Sequence, residues 1–100
     1  MAKWHRTVPV DSFQRAASVQ CGKRRIALFK LEDGVYAIDD VCSHEFSLLS
    51  EGEVWEGEVY CVKHGSRFDI RTGKVLSLPA TKDVRTYEVK VEDGYVYVRC

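Results

Sequence analysis

Short runs of apolar residues, separated by glycine turns, recur along the whole chain. Ile26-Ala27-Leu28-Phe29-Lys30-Leu31 has the length of a strand, and Val35-Tyr36-Ala37-Ile38 follows it across Glu32-Asp33-Gly34. An Asp-Gly step between two such runs predicts a hairpin, because a tight turn needs residues that tolerate positive φ. Val54-Trp55 and Glu58-Val59-Tyr60 repeat this pattern about Glu56-Gly57. Arg67 to Ile70 and Lys74 to Leu76 repeat it about Arg71-Thr72-Gly73. Thr86 to Val91 alternates, with Tyr87, Val89 and Val91 on one face, and Tyr95 to Val98 returns after Glu92-Asp93-Gly94. Trp4 to Val10 reads as a strand that Pro9 confines to an edge or an end. Ser12 to Val19, with its helix-favouring Ala16-Ala17, has room for a helical turn. No window holds the apolar i, i+3, i+4, i+7 pattern over a full helix. The expectation is an all-β sandwich or barrel whose strand-end loops carry any site.

Composition narrows the function classes. One hundred residues suit one domain spanning 1–100. Fifteen basic and fifteen acidic residues cancel, which removes the basic excess of a general nucleic-acid binder. Lys23-Arg24-Arg25 is read as a solvated turn or strand end. No apolar run is long enough to span a bilayer, and the opening Met1–Arg6 lacks the apolar stretch of a secretory signal. A soluble, cytoplasmic protein without membrane contact is expected. Thiols there are kept reduced, so four cysteines do not imply two disulfides.

Candidate chemistry concentrates between residues 42 and 64. Cys42-Ser43-His44 and Cys61-Val62-Lys63-His64 are separated by sixteen residues. Each pair offers one thiolate and one imidazole, a soft and a borderline metal ligand. The spacing differs from the common zinc pattern, in which two cysteines precede two histidines on a helix. A mononuclear zinc site with two sulfurs and two nitrogens stays open. The alternative is a [2Fe–2S] cluster with both cysteines on one iron and both histidines on the other.

Cys-x-His, sixteen residues, then Cys-x-x-His-Gly resembles the Rieske iron–sulfur motif. Leu48-Leu49-Ser50-Glu51-Gly52, Ser66 to Gly73, Leu78-Pro79-Ala80 and Tyr87 to Gly94 resemble that family's remaining segments. With the chain length, the likeness is to the Rieske-type ferredoxins of bacterial ring-hydroxylating dioxygenase systems. The resemblance implies stacked antiparallel sheets, with a base sandwich or barrel and a cluster-binding part of two loops at about 40–80. It implies one [2Fe–2S] cluster per chain, with Cys42 and Cys61 on the inner iron and His44 and His64 on the outer iron. It also implies a one-electron carrier with no substrate chemistry of its own. The donor would be a flavin-containing ferredoxin reductase, the acceptor a terminal oxygenase, and both contacts transient. A monomer is expected from the small size. The competing function is a zinc-stabilised β domain that binds another protein.

Departures from the family pattern carry their own expectations. Val62 stands where many members have proline, and Glu45 where a small or apolar residue is usual. Ser47 and Lys63 occupy the positions at which respiratory relatives tie the loops with a disulfide, which leaves Phe68 and Pro79 to pack and cover the site. Ser66 is placed to donate to a bridging sulfide or to bond backbone, while Phe68 lacks the hydroxyl of the tyrosine in high-potential relatives. A potential near the low end of the Rieske range, roughly −150 mV, is expected. Residues 39–58 hold acids alone and 59–74 mostly bases, either as solvated faces or as a means to orient a partner. His5 is expected at the surface, Cys21 as a structural or exposed thiol, and Cys100 as mobile.

Overall fold

The predicted hairpin about Glu32-Asp33 lies at the centre of the molecule. The computed structural model describes residues 3–42, 47–63 and 65–100. Nine strands follow in order: β1 (Trp4–Pro9), β2 (Ala16–Cys21), β3 (Arg24–Leu31), β4 (Gly34–Asp39), β5 (Glu53–Trp55), β6 (Glu58–Tyr60), β7 (Arg67–Asp69), β8 (Thr86–Glu92) and β9 (Tyr95–Arg99). Among the described residues the only helical segments are two single 3-10 turns, Val10–Ser12 and Leu49–Glu51. One antiparallel sheet has the order β1-β9-β8-β4-β3-β2, and a smaller one β5-β6-β7. The six-stranded sheet curls, so that its two outer strands β1 and β2 come back into contact as a near-barrel with a seam.

Strand β3 explains why its sequence is continuously apolar. Ala27 and Phe29 face one core, Ile26 and Leu28 the other, and all four are fully buried. A strand covered on both faces needs apolar residues at every position. The first core joins Ala27, Phe29 and Ile38 to Val59 and Phe68 of the small sheet. The second joins Ile26, Leu28 and Ala37 to Val19, Val96 and Val98 inside the curled sheet. The small sheet therefore sits on one face of the β3–β4 hairpin, and the hairpin is shared between both units.

Two expectations are corrected. Ala16-Ala17 lie in a strand: all of β2 pairs with β3, and that ladder overrides a weak helical preference. Lys74 to Leu76 does not return as a full strand; it makes one bridge, Phe68 to Val75. Val91 shares the side of Tyr87 and Val89 but is exposed, because the second core ends before it. Two glycines are fixed by close approach. A Cβ on Gly52 would strike the carbonyl oxygen of Tyr60, and one on Gly73, which has φ +74, would strike that of Val84.

Candidate metal centre

The two predicted cysteine loops are built alike. Each leaves the end of a strand, and in each the cysteine N–H donates to the carbonyl five residues on. The bonds are Cys42 to Ser47 at 2.9 Å and Cys61 to Ser66 at 2.8 Å. A bridge between Val41 and Leu48 closes the base of the first loop. In the second, Gly65 N–H, at φ +75, returns to the Cys61 carbonyl at 2.9 Å. Both cysteines are buried, at 4% and 3% exposure, in one core with Leu49, Val59, Phe68, Ile70 and Ala80. His44 and His64 lie outside the described residues, as does Glu45.

A buried carboxylate anchors the first loop. Asp40, with no exposed surface, accepts from Ser50 N–H at 2.7 Å and from the Ser18 hydroxyl, and Arg25 Nε lies 4.0 Å away. Its carbonyl accepts from Leu49 N–H. A charge buried this completely needs such partners, since desolvation of an unsatisfied carboxylate is costly. Asp40 thereby ties the strand before Cys42 to the 3-10 turn after it. Sequence reading saw only a strand end here; the signal available was an acid two positions before a candidate ligand.

The second loop is covered from the proline segment. Ser66, 1% exposed, accepts a 3.0 Å bond at Oγ from Ala80 N–H. The backbone role expected of this hydroxyl is present. Phe68 is fully buried in the same core as both cysteines, and Pro79, after a cis peptide, is half-buried beside Ala80. Val62 and Leu78, by contrast, are 57% and 75% exposed on these same two segments. Arg67 pairs with Glu58 at 2.8 Å and Arg71 with Asp33 at 2.9 Å, so much of the basic stretch is satisfied within the chain. The Arg71 guanidinium, with the Tyr36 hydroxyl, holds the Asp33 carboxyl below its ordinary value.

The metal-capable group that the described side chains bring together is a different one: His5, Cys21 and Cys100, with ligand atoms within 4.8 Å of one another. Cys21 is buried and bonded to Cys100 in a disulfide with a Cα–Cα distance of 6.5 Å. This corrects the expectation of a lone thiol at Cys21 and a mobile Cys100. The two lie 79 positions apart, and strand pairing alone brings them together. His5 is exposed as expected.

Comparison with known proteins agrees with the fold. Residues 3–88 match the family model described as Rieske [2Fe-2S] domain. The chain is 39% identical over 100 residues to the anthranilate 1,2-dioxygenase ferredoxin subunit of Burkholderia cepacia, covering 98% of this chain and 93% of that one. It is 45% identical over 74 residues to a 3-phenylpropionate/cinnamic acid dioxygenase ferredoxin subunit of Photorhabdus laumondii, covering 73% and 70%. The solved ferredoxin of Sphingomonas yanoikuyae B1 superposes with a TM-score of 0.90 at 28% identity, covering 98% of this chain and 99% of that one. A ferredoxin seen bound to its oxygenase in carbazole 1,9a-dioxygenase gives 0.88 at 31%, covering 96% and 92%.

Proposed function

Since the chain belongs to the Rieske [2Fe-2S] domain family, we propose that Cys42, His44, Cys61 and His64 hold its cluster and that it serves a ring-hydroxylating dioxygenase system. It takes one electron at a time from a flavin-containing reductase and passes it to a terminal oxygenase. The observation that carries this reading is the equivalence of the two cysteine loops. Two thiols, buried in one core and each held by the same five-residue closure, fit a cofactor that needs two thiolates in a dry, fixed setting. The bound cluster supplies a reversible one-electron couple whose two neutral imidazole ligands raise its potential above that of an all-cysteine cluster.

The chain's own residues do the rest. Phe68 and the Ala80 segment keep water from the thiolates, and the buried Ser66 hydroxyl is held by Ala80 N–H. Phe68 has no hydroxyl to add a donor, which supports a potential near roughly −150 mV. Exposed Val62 and Leu78 offer a small apolar surface next to the loops, in keeping with a weak, transient encounter with each redox partner. Among the described residues no helix is long and apolar enough to cross a membrane. The reading is of a monomeric, cytoplasmic carrier, one domain over 1–100 with its cluster-binding part at about 40–80.

The test is anaerobic reduction by NADH and a flavoprotein reductase of such a system, followed by mixing with the oxidised oxygenase. The expected result is a coloured iron–sulfide protein that reduces the oxygenase. A colourless protein carrying one zinc would support a protein-binding β domain instead.

A further inference from the structure

We propose that His5, Cys21 and Cys100 form a thiol–disulfide exchange site on the seam of the curled sheet, with dithiols as its substrate class. Strands β1 and β2 are the outer strands of the six-stranded order and meet at the seam. Cys21 ends β2, and Cys100 follows β9, the partner of β1, so the bond between them spans that seam. Neither sulfur depends on the other for its position. Cys21 is held by its pairing with Arg24 across the β2–β3 turn. Cys100 is held by two backbone bonds to Lys3, at 3.1 and 3.0 Å. A pair kept in register by two separate ladders closes again after it is opened.

Cys21 packs in the second core on its inner side, and the outer side of the pair has the surroundings of a reactive sulfur. An open pocket of about 460 Å³ reaches both cysteines and is lined also by His5, Lys23 and Arg24, with no acidic residue among its lining. Cations beside a sulfur favour the thiolate and speed its exchange. They also repel a metal cation, which separates this group from an ordinary metal site. His5 Nδ1 lies 3.0 Å from the Lys3 carbonyl and 3.3 Å from Cys100 Sγ. A carbonyl only accepts, so Nδ1 carries its proton and donates it to Lys3 O, with Cys100 Sγ close enough to share it.

Exchange then proceeds in two displacements. A thiolate of the incoming dithiol attacks Cys100 Sγ, the half-exposed member of the pair. The Cys21–Cys100 bond breaks, its electron pair leaves on Cys21 Sγ, and that sulfur takes a proton from water. The second thiol of the substrate displaces Cys100 Sγ from the mixed disulfide, and the departing thiolate is met by His5 Nδ1–H. The dithiol is oxidised to its disulfide, and Cys21 and Cys100 are reduced to two thiols.

The test uses the folded holoprotein under anaerobic conditions, with dithiothreitol as the probe and iodoacetamide to trap thiols, read by peptide mass spectrometry. A Cys21→Ser/Cys100→Ser variant serves as the blank, and the visible spectrum follows the cluster. The expected result is alkylation of both Cys21 and Cys100 with an unchanged spectrum, and a rate at least about tenfold lower in His5→Ala, the loss of a positioned proton donor. Reoxidation with oxidised dithiothreitol restores the bond. Three results would overturn the proposal: a pair that resists dithiothreitol until the protein unfolds, an equal rate in His5→Ala, or zinc found at Cys21 and Cys100 in the protein as purified.

Discussion

The two cysteine pairs of this chain are both built by strands, yet to opposite ends. Cys42 and Cys61 leave strands on loops of equal closure, and both sulfurs turn into the core between the two sheets. Cys21 and Cys100 stay on the strands themselves, one closing β2 and one extending β9, and meet across a seam. The first pair is surrounded by Leu49, Val59 and Phe68; the second packs against Val19, Ile26 and Val98 on its inner side and borders a pocket lined by His5, Lys23 and Arg24 on its outer side. Burial alone does not set what a thiol does, since Cys21 and Cys61 are each 3% exposed. Both pairs have an apolar side; what differs is the other side, where loop closure suits a fixed ligand at the first pair and an open pocket with cations in its lining suits exchange at the second.

Breaking the pairs one at a time sharpens this contrast. Cys42→Ser or Cys61→Ser has the largest expected effect, loss of the bound cluster by iron and acid-labile sulfide analysis. Cys21→Ser/Cys100→Ser is expected to retain the cluster and its spectrum while losing roughly 4 kcal/mol, because its bond closes a loop of 79 positions. Denaturant midpoints under oxidising and reducing conditions measure that loss, and the reduced wild type should match the variant. Phe68→Ala should remove about 3–4 kcal/mol and leave a cavity under the first pair alone.

Smaller effects separate the halves further. Asp40→Asn leaves the Ser18 hydroxyl facing an amide and should cost about 2 kcal/mol, with the cluster spectrum shifted through the first loop. The same change should leave exchange at Cys21 and Cys100 unaltered. Tyr87, half-buried on β8, has its phenol pushed up to about 12, first by burial and then by its hydrogen bond to Asp39. A phenol that holds its proton more tightly when folded contributes stability that is complete below its unfolded value of 10.0 and is lost as pH rises toward about 12. Urea midpoints should therefore be flat through neutral pH and fall across that window, less steeply in Tyr87→Phe.

Much of the first pair was legible in the sequence, and almost none of the second. The turn residues about Asp33, Gly57 and Gly94 marked the hairpins because such turns demand particular backbone angles. The paired Cys and His spacings marked the loops, since ligands on one site tend to be near in sequence. Ala16-Ala17 misled because the ladder to β3 outweighs their intrinsic preference. Asp40 was missed as an anchor because its partners, Ser18 and Ser50, come from separate segments. The Cys21–Cys100 bond was invisible for the same reason on a larger scale: it depends on which strands form the seam. Periodicity identifies strands, whereas seam contacts follow from the order in which they pair.

Whether Cys42, Cys61 and the two histidines of their pairs hold a Rieske cluster is read by pulsed EPR of the dithionite-reduced protein labelled with ¹⁵N-histidine. The expected result is a [2Fe–2S] signal with hyperfine coupling to histidine nitrogen, identical in Cys21→Ser/Cys100→Ser and lost in His44→Ala and His64→Ala. A signal without nitrogen coupling, or one that survives both histidine substitutions, would contradict it.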